Sequence, residues 1–538
     1  MTALLRGNGL LGLAFILILL IYYFLLRSPA IRRNGVPLRY VVTRQIDTSA
    51  LSHVRTYRKP PDTLPIAGNG LVFIQDRQKL FKWFVKCERQ FGLETFQITV
   101  PTLHPGVVIN DPSNLDYVFK NEGIFSKGDF VKQRSWDLFG NGIINADGDL
   151  WKAQRRAGSH FLSPSNLRVL TDVALPRYLS RTVDHLETRA NEGGTVDLQL
   201  VFHEITSLLM GRMAYDMEMH ADDDFTMAFE YASGGVTERF QNPLWFITEV
   251  FTGSKFRESL AIVHKFGLGI VSNAINDQQK STESSTPLDD ADGGRLDTVS
   301  GSLIQSLLAA LGSQRKLVAD AALTFLTAGR DTTAQALTWC LYLLMQNRAA
   351  LEKTRNEAQE LLQAKGLDIQ QLGTETNTSS AVFTPSSLPY TMAVFYEALR
   401  LFPPIPFEIR ECGKATTLPD GTFLPEKAII VWSLWAMNRS KTIWGEDADE
   451  FRPERWIAED GKLINKSPSE FPVFYGGPRT CLGKRMAEII ATQVIASIIL
   501  MFEFTPDYEG ERVSKTSLTL PMKDGLPCSI KKRTTDYT

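Results

Sequence analysis

The chain has 538 residues, 43% of them hydrophobic and 22% charged, with a formal net charge of −2. That composition is ordinary for a globular protein and excludes a mostly disordered chain, a collagen-like fibre and a polytopic membrane protein. The near-zero charge argues against a nucleic-acid binder built on a global positive field. The charge is unevenly spread: residues 1–59 hold nine Lys/Arg against the single acid Asp47, a net of +8, so the remainder carries −10.

Gly7 to Leu26 carries no charge. A helix of that length spans about 30 Å, the thickness of a bilayer's hydrocarbon core. Arg27, Arg32 and Arg33 follow directly, which keeps the body on the cytosolic side. No small-x-small cleavage site follows the apolar run, which favours an uncleaved anchor over a cleaved signal peptide. Residues 1–27 are therefore expected to form a transmembrane anchor. Residues 28–69 form a basic and Pro-rich connector ending in Pro60-Pro61 and Pro65. Residues 70–538 form one large domain.

That domain reads as mainly helical. Leu317 to Met345 is long, Ala-rich and nearly uncharged; a helix that apolar must cross a core. Further helices are expected over Leu351–Lys365 and Tyr390–Leu401. Strand signals are short: Val107-Val108-Ile109, Thr422-Phe423-Leu424 and Ile429-Ile430-Val431. Gln278–Asp297 and Gly373–Ser387 are polar and read as loops. The fold class is α+β, mainly α. Five scattered cysteines, with no C-x-x-C pair, make neither a disulfide framework nor a zinc site.

The strongest chemical signal is Phe474-Tyr475-Gly476-Gly477-Pro478-Arg479-Thr480-Cys481-Leu482-Gly483. It is a Gly/Pro-rich loop with one cysteine at the mouth of a helix beginning near Lys484. A helix N-terminus and nearby cations favour the thiolate. Backbone N–H groups of a tight loop donate to a sulfur and tune it. Its glycines let backbone approach something flat and large. On these grounds the cysteine is either an iron ligand or a nucleophile.

The spacing Phe474-x-x-Gly477-x-Arg479-x-Cys481-x-Gly483 resembles the haem-binding signature of the cytochrome P450 family. The resemblance implies a cytochrome P450 fold and makes 70–538 the haem domain. It implies haem b as cofactor, with Cys481 as axial thiolate ligand of the iron and Arg479 pairing with a haem propionate. Trp151-Lys152-Ala153-Gln154-Arg155 is similar to the family's W-x-x-x-R, so Trp151 and Arg155 are expected on the propionates, with Arg410 as a further propionate ligand. Ala328-Gly329-Arg330-Asp331-Thr332-Thr333 resembles the oxygen-activation stretch. There Asp331 and Thr332 would relay protons, and Thr332 is expected to bond back to a helix carbonyl. Glu397-Ala398-Leu399-Arg400 resembles the family's E-x-x-R pair, which would lock onto Arg455.

Only 55 residues follow Gly483, too few for a flavin or nicotinamide domain. O2 and NADPH-derived electrons are thus expected to be used with a separate NADPH-cytochrome P450 reductase, with cytochrome b5 as a further donor. Lys152, Arg156, Lys484 and Arg485 are candidates for a basic docking face. The expected location is the endoplasmic reticulum membrane, with the haem domain facing the cytosol. Gly142–Trp151, Trp444–Phe451 and Ser517–Lys523 resemble the fungal and plant fatty-acid and alkane ω-hydroxylase branch. That implies an apolar tunnel lined by Phe125–Phe139, Leu326, Ala328, Ile405–Phe407 and Leu518–Leu520, with no evident buried cation for a carboxylate. Other readings are tailoring oxidation of a lipophilic polyketide or terpenoid, a haem-thiolate isomerase or dehydratase, and a non-enzymatic haem sensor. The intact Asp331-Thr332 pair weighs against the last two.

Overall fold

The computed structural model describes residues 60–533, without 66, 101–102, 105, 284–301, 313 and 370–378; before residue 60 it describes only the backbone of four short strands. The 1–27 anchor expectation lies outside these residues. No described helix is long and apolar enough to cross a membrane.

Eleven helices frame the site: α1 Arg77–Phe91, α2 Gly128–Phe139, α3 Gly148–Phe161, α4 Leu198–Tyr215, α5 Asp224–Gln241, α6 Trp245–Thr252, α7 Ser254–Glu283, α8 Arg315–Gln346, α9 Arg348–Lys365, α10 Pro389–Leu401 and α11 Lys484–Met501. Eight strands matter here: β1 Phe96–Ile98, β2 Gly106–Val108, β3 Phe125–Ser126, β4 Thr195–Asp197, β5 Phe407–Cys412, β6 Ile429–Ser433, β7 Phe502–Pro506 and β8 Pro527–Lys532.

Helix α8 is the central shaft. It is buried along most of its length, from Val318 to Leu344, and packs on α4, α7, α10 and α11. Close packing on α4 is possible because residue 329 is glycine: a Cβ there would lie 2.6 Å from the Met210 sulfur. Asn347 ends α8, and its side chain caps α9 by accepting from the Ala350 N–H at 3.0 Å. Helix α1 starts at the Asp76 cap and buries Leu80, Phe81, Phe84 and Phe91, the i, i+3, i+4 face of an amphipathic helix.

The main sheet runs β1-β2-β6-β5-β3. Strand β6 pairs parallel with β2, Ile430 opposite Val107, and antiparallel with β5, Ile430 opposite Arg410. This register holds Arg410 beneath the central helices. A second sheet runs β7-β8-β4. The strands Arg32–Arg33 and Val36–Pro37 join Thr416–Thr417 and Thr422–Leu424 in a third sheet.

The helices expected at 317–345, 351–365 and 390–401 and the three strand segments are all present, within three residues of their expected ends. The expected loop at 278–297 begins later, because α7 continues to Glu283. Strands β7 and β8 carried no sequence signal. Each exposes polar residues on one side and lacks an apolar run, and their pairing is made by tertiary contact.

Candidate active site

A cavity of ≈ 570 Å³ lies between α8, the main sheet and the Cys481 loop. Its walls are largely apolar, including Phe130, Phe229, Phe325 and Phe407. Cys481, Thr332 and Asp331 all face it.

The loop is folded by its own backbone. The Cys481 N–H donates to the Phe474 carbonyl at 2.8 Å and the Thr480 N–H to the Gly477 carbonyl at 3.1 Å. Gly477 has φ +62°, and a Cβ there would lie 2.2 Å from the Phe119 carbonyl oxygen. At Gly476 a Cβ would strike the Phe119 ring at 2.3 Å. Close packing on Phe119 therefore requires glycine at both positions. Of the five cysteines only Cys481 is open, and it opens onto the cavity. Burial in the protein raises its thiol pKa; the Gly483 and Lys484 N–H groups and Arg155 pull the other way. Those N–H groups belong to the start of α11, so its dipole adds to the thiolate's stabilisation.

Four cations surround this end of the cavity. Arg155, on α3, donates to the Thr480 carbonyl and lies near the Trp151 ring, 6.0 Å away. Arg479 pairs with Glu122 at 3.0 Å and Asp147 at 2.8 Å, and donates to the Ala146 carbonyl at 3.1 Å. Arg410 donates through Nε to the Tyr475 hydroxyl at 2.8 Å, while its Nη1 is buried with no hydrogen-bond partner. Lys127 was missed from sequence. It pairs with Glu408 at 3.2 Å, and burial with Arg410 nearby lowers its pKa to about 8. All four line the cavity, as does Trp151. An orphaned guanidinium nitrogen, a surplus of cations and an open thiol fit an acidic, metal-bearing group such as haem.

Across the cavity, α8 carries the acid and the alcohol. Thr332 Oγ1 donates back to the Ala328 carbonyl at 2.7 Å, the expected helix bond. Asp331 does not bond Thr332. Its Oδ1 accepts from Arg330 Nε at 2.6 Å, and Arg330 Nη1 reaches Thr226 on α5 at 2.8 Å. His203 on α4 places Nδ1 3.9 Å from the same carboxylate oxygen. Neither Arg330 nor His203 was singled out from sequence: the first sat inside the motif and the second lies 128 residues before Asp331 in the chain.

The structural lock is complete. Glu397 accepts from Arg400 through both oxygens, 2.8 Å each, and also from Arg455 Nε, the Arg452 N–H and Trp456 Nε1, each at 2.9 Å. Glu397 and Arg400 are fully buried. This stays a scaffold, away from the cavity.

A family model for cytochrome P450 matches residues 59–528. The chain belongs to the cytochrome P450 family. It is an oxidoreductase of the monooxygenase type, using haem b, O2 and reductase-derived electrons. Cytochrome P450 CYP94D108 of Paris polyphylla is 29% identical over 501 residues, 88% of this chain and 94% of the relative. Cytochrome P450 86B1 of Arabidopsis thaliana is 30% identical over 458 residues, 82% of this chain and 80% of the relative. Cytochrome P450 monooxygenase cyp1 of Mycosarcoma maydis is 29% identical over 515 residues, 90% and 77% of the two chains.

Within this P450 the cavity lining departs from the sequence expectation at three places. Phe125, Leu326 and Leu520 are buried in the core and do not line the cavity, whereas Phe130, Phe139, Ala328, Ile405, Phe407 and Leu518 do. The sequence expectation of an apolar lining with no evident buried cation for a carboxylate also needs correction. Arg77 on α1 lines the cavity and is 4% exposed. The signal was present: Arg77 stands at i to Leu80, Phe81 and Phe84, on the buried face of its helix.

Proposed function

We propose that this P450 is a membrane-anchored haem-thiolate monooxygenase that hydroxylates an apolar chain, with terminal oxidation of a fatty acid or alkane as the leading case. The observation that carries this is the apolar cavity with Cys481 on one wall and the Asp331-Thr332 pair on another. Haem, when bound, supplies oxygen activation and transfer of one oxygen atom.

The chain's own residues divide the remaining work. Cys481, with the Gly483 and Lys484 N–H groups at its sulfur, would ligate the iron. Trp151, Arg155, Arg410 and Arg479 would hold the propionates, and the free Nη1 of Arg410 is the donor best placed to gain a partner. Asp331 and Thr332, on α8, would deliver protons to the cavity. The phenylalanine walls exclude water and orient the chain. Retention of both acid and alcohol at the cavity favours monooxygenation over isomerisation, dehydration or haem sensing.

NADPH-cytochrome P450 reductase is the proposed electron donor, with cytochrome b5 as an accessory. Arg156 and Arg485 are exposed and flank the Cys481 loop, as does Lys152, which pairs with Asp149 at 3.1 Å. Membrane attachment has two supports: the uncharged run 7–26 and the apolar helix α6, none of which is buried. The orientation, haem domain toward the cytosol, follows from the basic flank after that run, and the endoplasmic reticulum is the proposed membrane.

The test is spectral and chemical. The reduced protein with carbon monoxide is expected to show the long-wavelength Soret band of thiolate ligation, and Cys481→Ala to lose it. Reconstituted with reductase and NADPH, the enzyme is expected to yield chain-hydroxylated products by mass spectrometry. Retention of the thiolate band in Cys481→Ala overturns the ligand assignment.

A further inference from the structure

Arg77 is a buried cation without a counter-ion. It lines the same cavity as Cys481, yet among the described residues no carboxylate pairs with it. Its Nη1 uses both hydrogens, donating to the Lys515 carbonyl at 2.8 Å and the Ser517 carbonyl at 2.6 Å. These bonds fix the plane of the guanidinium. They leave the edge formed by Nε and Nη2, which donates to no described atom. That edge offers two parallel N–H groups, the geometry that matches a carboxylate in a bidentate pair.

Two neutral carbonyls accept from one nitrogen, but no carboxylate among the described residues neutralises the charge. The Phe81 ring lies 5.2 Å away, a weak compensation. Burial alone lowers the Arg77 pKa to about 9, with no neighbouring charge acting on it, so it remains a cation at neutral pH. An uncompensated buried charge is costly, and an anion arriving in the cavity removes that cost. The neighbouring wall is tied to α5: Ser517 Oγ meets Ser233 Oγ at 2.9 Å, and the Leu518 N–H donates to Ser233 Oγ at 3.2 Å.

We infer that Arg77 is the carboxylate subsite of the cavity, so that the substrate is an anionic acyl chain rather than an alkane. This deepens the fatty-acyl reading above and rests on it. Arg77 is carried by α1, whereas Arg155, Arg410 and Arg479 beside Cys481 are carried by α3, β5 and the Cys481 loop, so the two sites are built by different elements of the cavity. A chain held by its carboxylate at Arg77 therefore presents its distal end toward Cys481.

The experiment uses the full-length, haem-loaded enzyme with three probes of one chain length: hexadecanoic acid, its methyl ester and hexadecane. Binding is read by the Soret shift and by calorimetry, for wild type, Arg77→Gln and Arg77→Lys. Wild type is expected to prefer the acid. Arg77→Gln is expected to weaken acid binding at least about tenfold while leaving the ester unchanged, and Arg77→Lys to restore part of the preference. Equal losses for acid and ester, or none for the acid, overturn the inference and assign Arg77 to bracing the 515–517 loop. If Arg77→Gln loses its haem, the acid-to-ester ratio of Arg77→Lys decides in the same way. A wild type that oxidises the ester and the alkane but does not bind the acid overturns the subsite and leaves the monooxygenase reading standing. A wild type that neither binds nor oxidises any of the three overturns the fatty-acyl reading itself.

Discussion

Arg330 and Asp331, neighbours in sequence on one helix, form an ion pair of 2.6 Å in which both side chains are buried. The Asp331 carboxylate at the cavity is thus held by the residue before it, not by the alcohol after it. Removing one partner of a buried pair leaves an uncompensated charge. Arg330→Leu is expected to cost about 3–5 kcal/mol of stability in urea unfolding, with Arg330→Lys costing less because it keeps the charge. A stability equal to wild type in Arg330→Leu contradicts the pairing.

Asp331→Asn keeps the shape and removes the proton-carrying group. Product formed per NADPH consumed is expected to fall by about 10²-fold, with a larger solvent deuterium effect and unchanged substrate affinity. An unchanged ratio means protons reach the site by another route.

Glu397 receives five donors while fully buried. Glu397→Ala orphans all of them and leaves Arg400 charged in the core. We expect almost no haem-loaded protein. Glu397→Gln retains two acceptor lone pairs but loses the charge, and is expected to fold poorly. Haem content per polypeptide in purified protein is the measurement; a normal content in Glu397→Ala is incompatible with this role.

His203 is pushed down from 6.5 to about 4, chiefly by burial, against the attraction of Asp331; Arg330 and Lys515 also lower it. Because its folded pKa lies below its unfolded value, the unfolded chain binds the proton first as the pH falls. Its contribution to stability is full above about pH 6.5 and is lost progressively toward pH 4. The whole loss is at most about 3 kcal/mol. His203→Gln is expected to flatten the stability profile over that window, and an equally steep profile in the variant removes His203 from the account.

Helix α6 exposes Val250 by 68% and Phe251 by 82%. It is strapped to α5 by Arg239, which is 3% exposed and binds Glu249 at 2.6 and 2.7 Å while lying 4.6 Å from the Trp245 ring. In protein lacking residues 1–27, Val250→Ser with Phe251→Ser is expected to reduce sedimentation with lipid vesicles several-fold at unchanged haem content. Equal sedimentation of the double variant sinks the membrane role of α6.

Much of the candidate site and of its scaffold was legible because it is local. Cys481, Gly477 and Arg479 sit in one loop, Trp151 and Arg155 one helical turn apart, and Glu397 and Arg400 at i, i+3. Helix α8 was visible from its apolar length. Strands β7 and β8 were not, since half of each faces outward and pairing defines them. Phe125, Leu326 and Leu520, expected at the cavity, lie in the core beside neighbours that do line it, because helix and strand geometry turn nearby residues to different faces.

The chain's order of residues determined by itself the chemistry on offer: a lone thiol in a tight loop before a helix, an acid and alcohol within an apolar helix, and a carboxylate and guanidinium one turn apart. Backbone periodicity carries such spacings into space without help from the rest of the fold. Only the tertiary structure decided the charge partners. Arg330 meets Thr226, Arg455 meets Glu397, Arg77 meets the carbonyls of Lys515 and Ser517, and Phe119 presses on Gly477. Those meetings join segments up to 440 residues apart. Which cation is neutralised and which is left free depends on burial and on neighbours brought by folding, and neither is a property of local sequence.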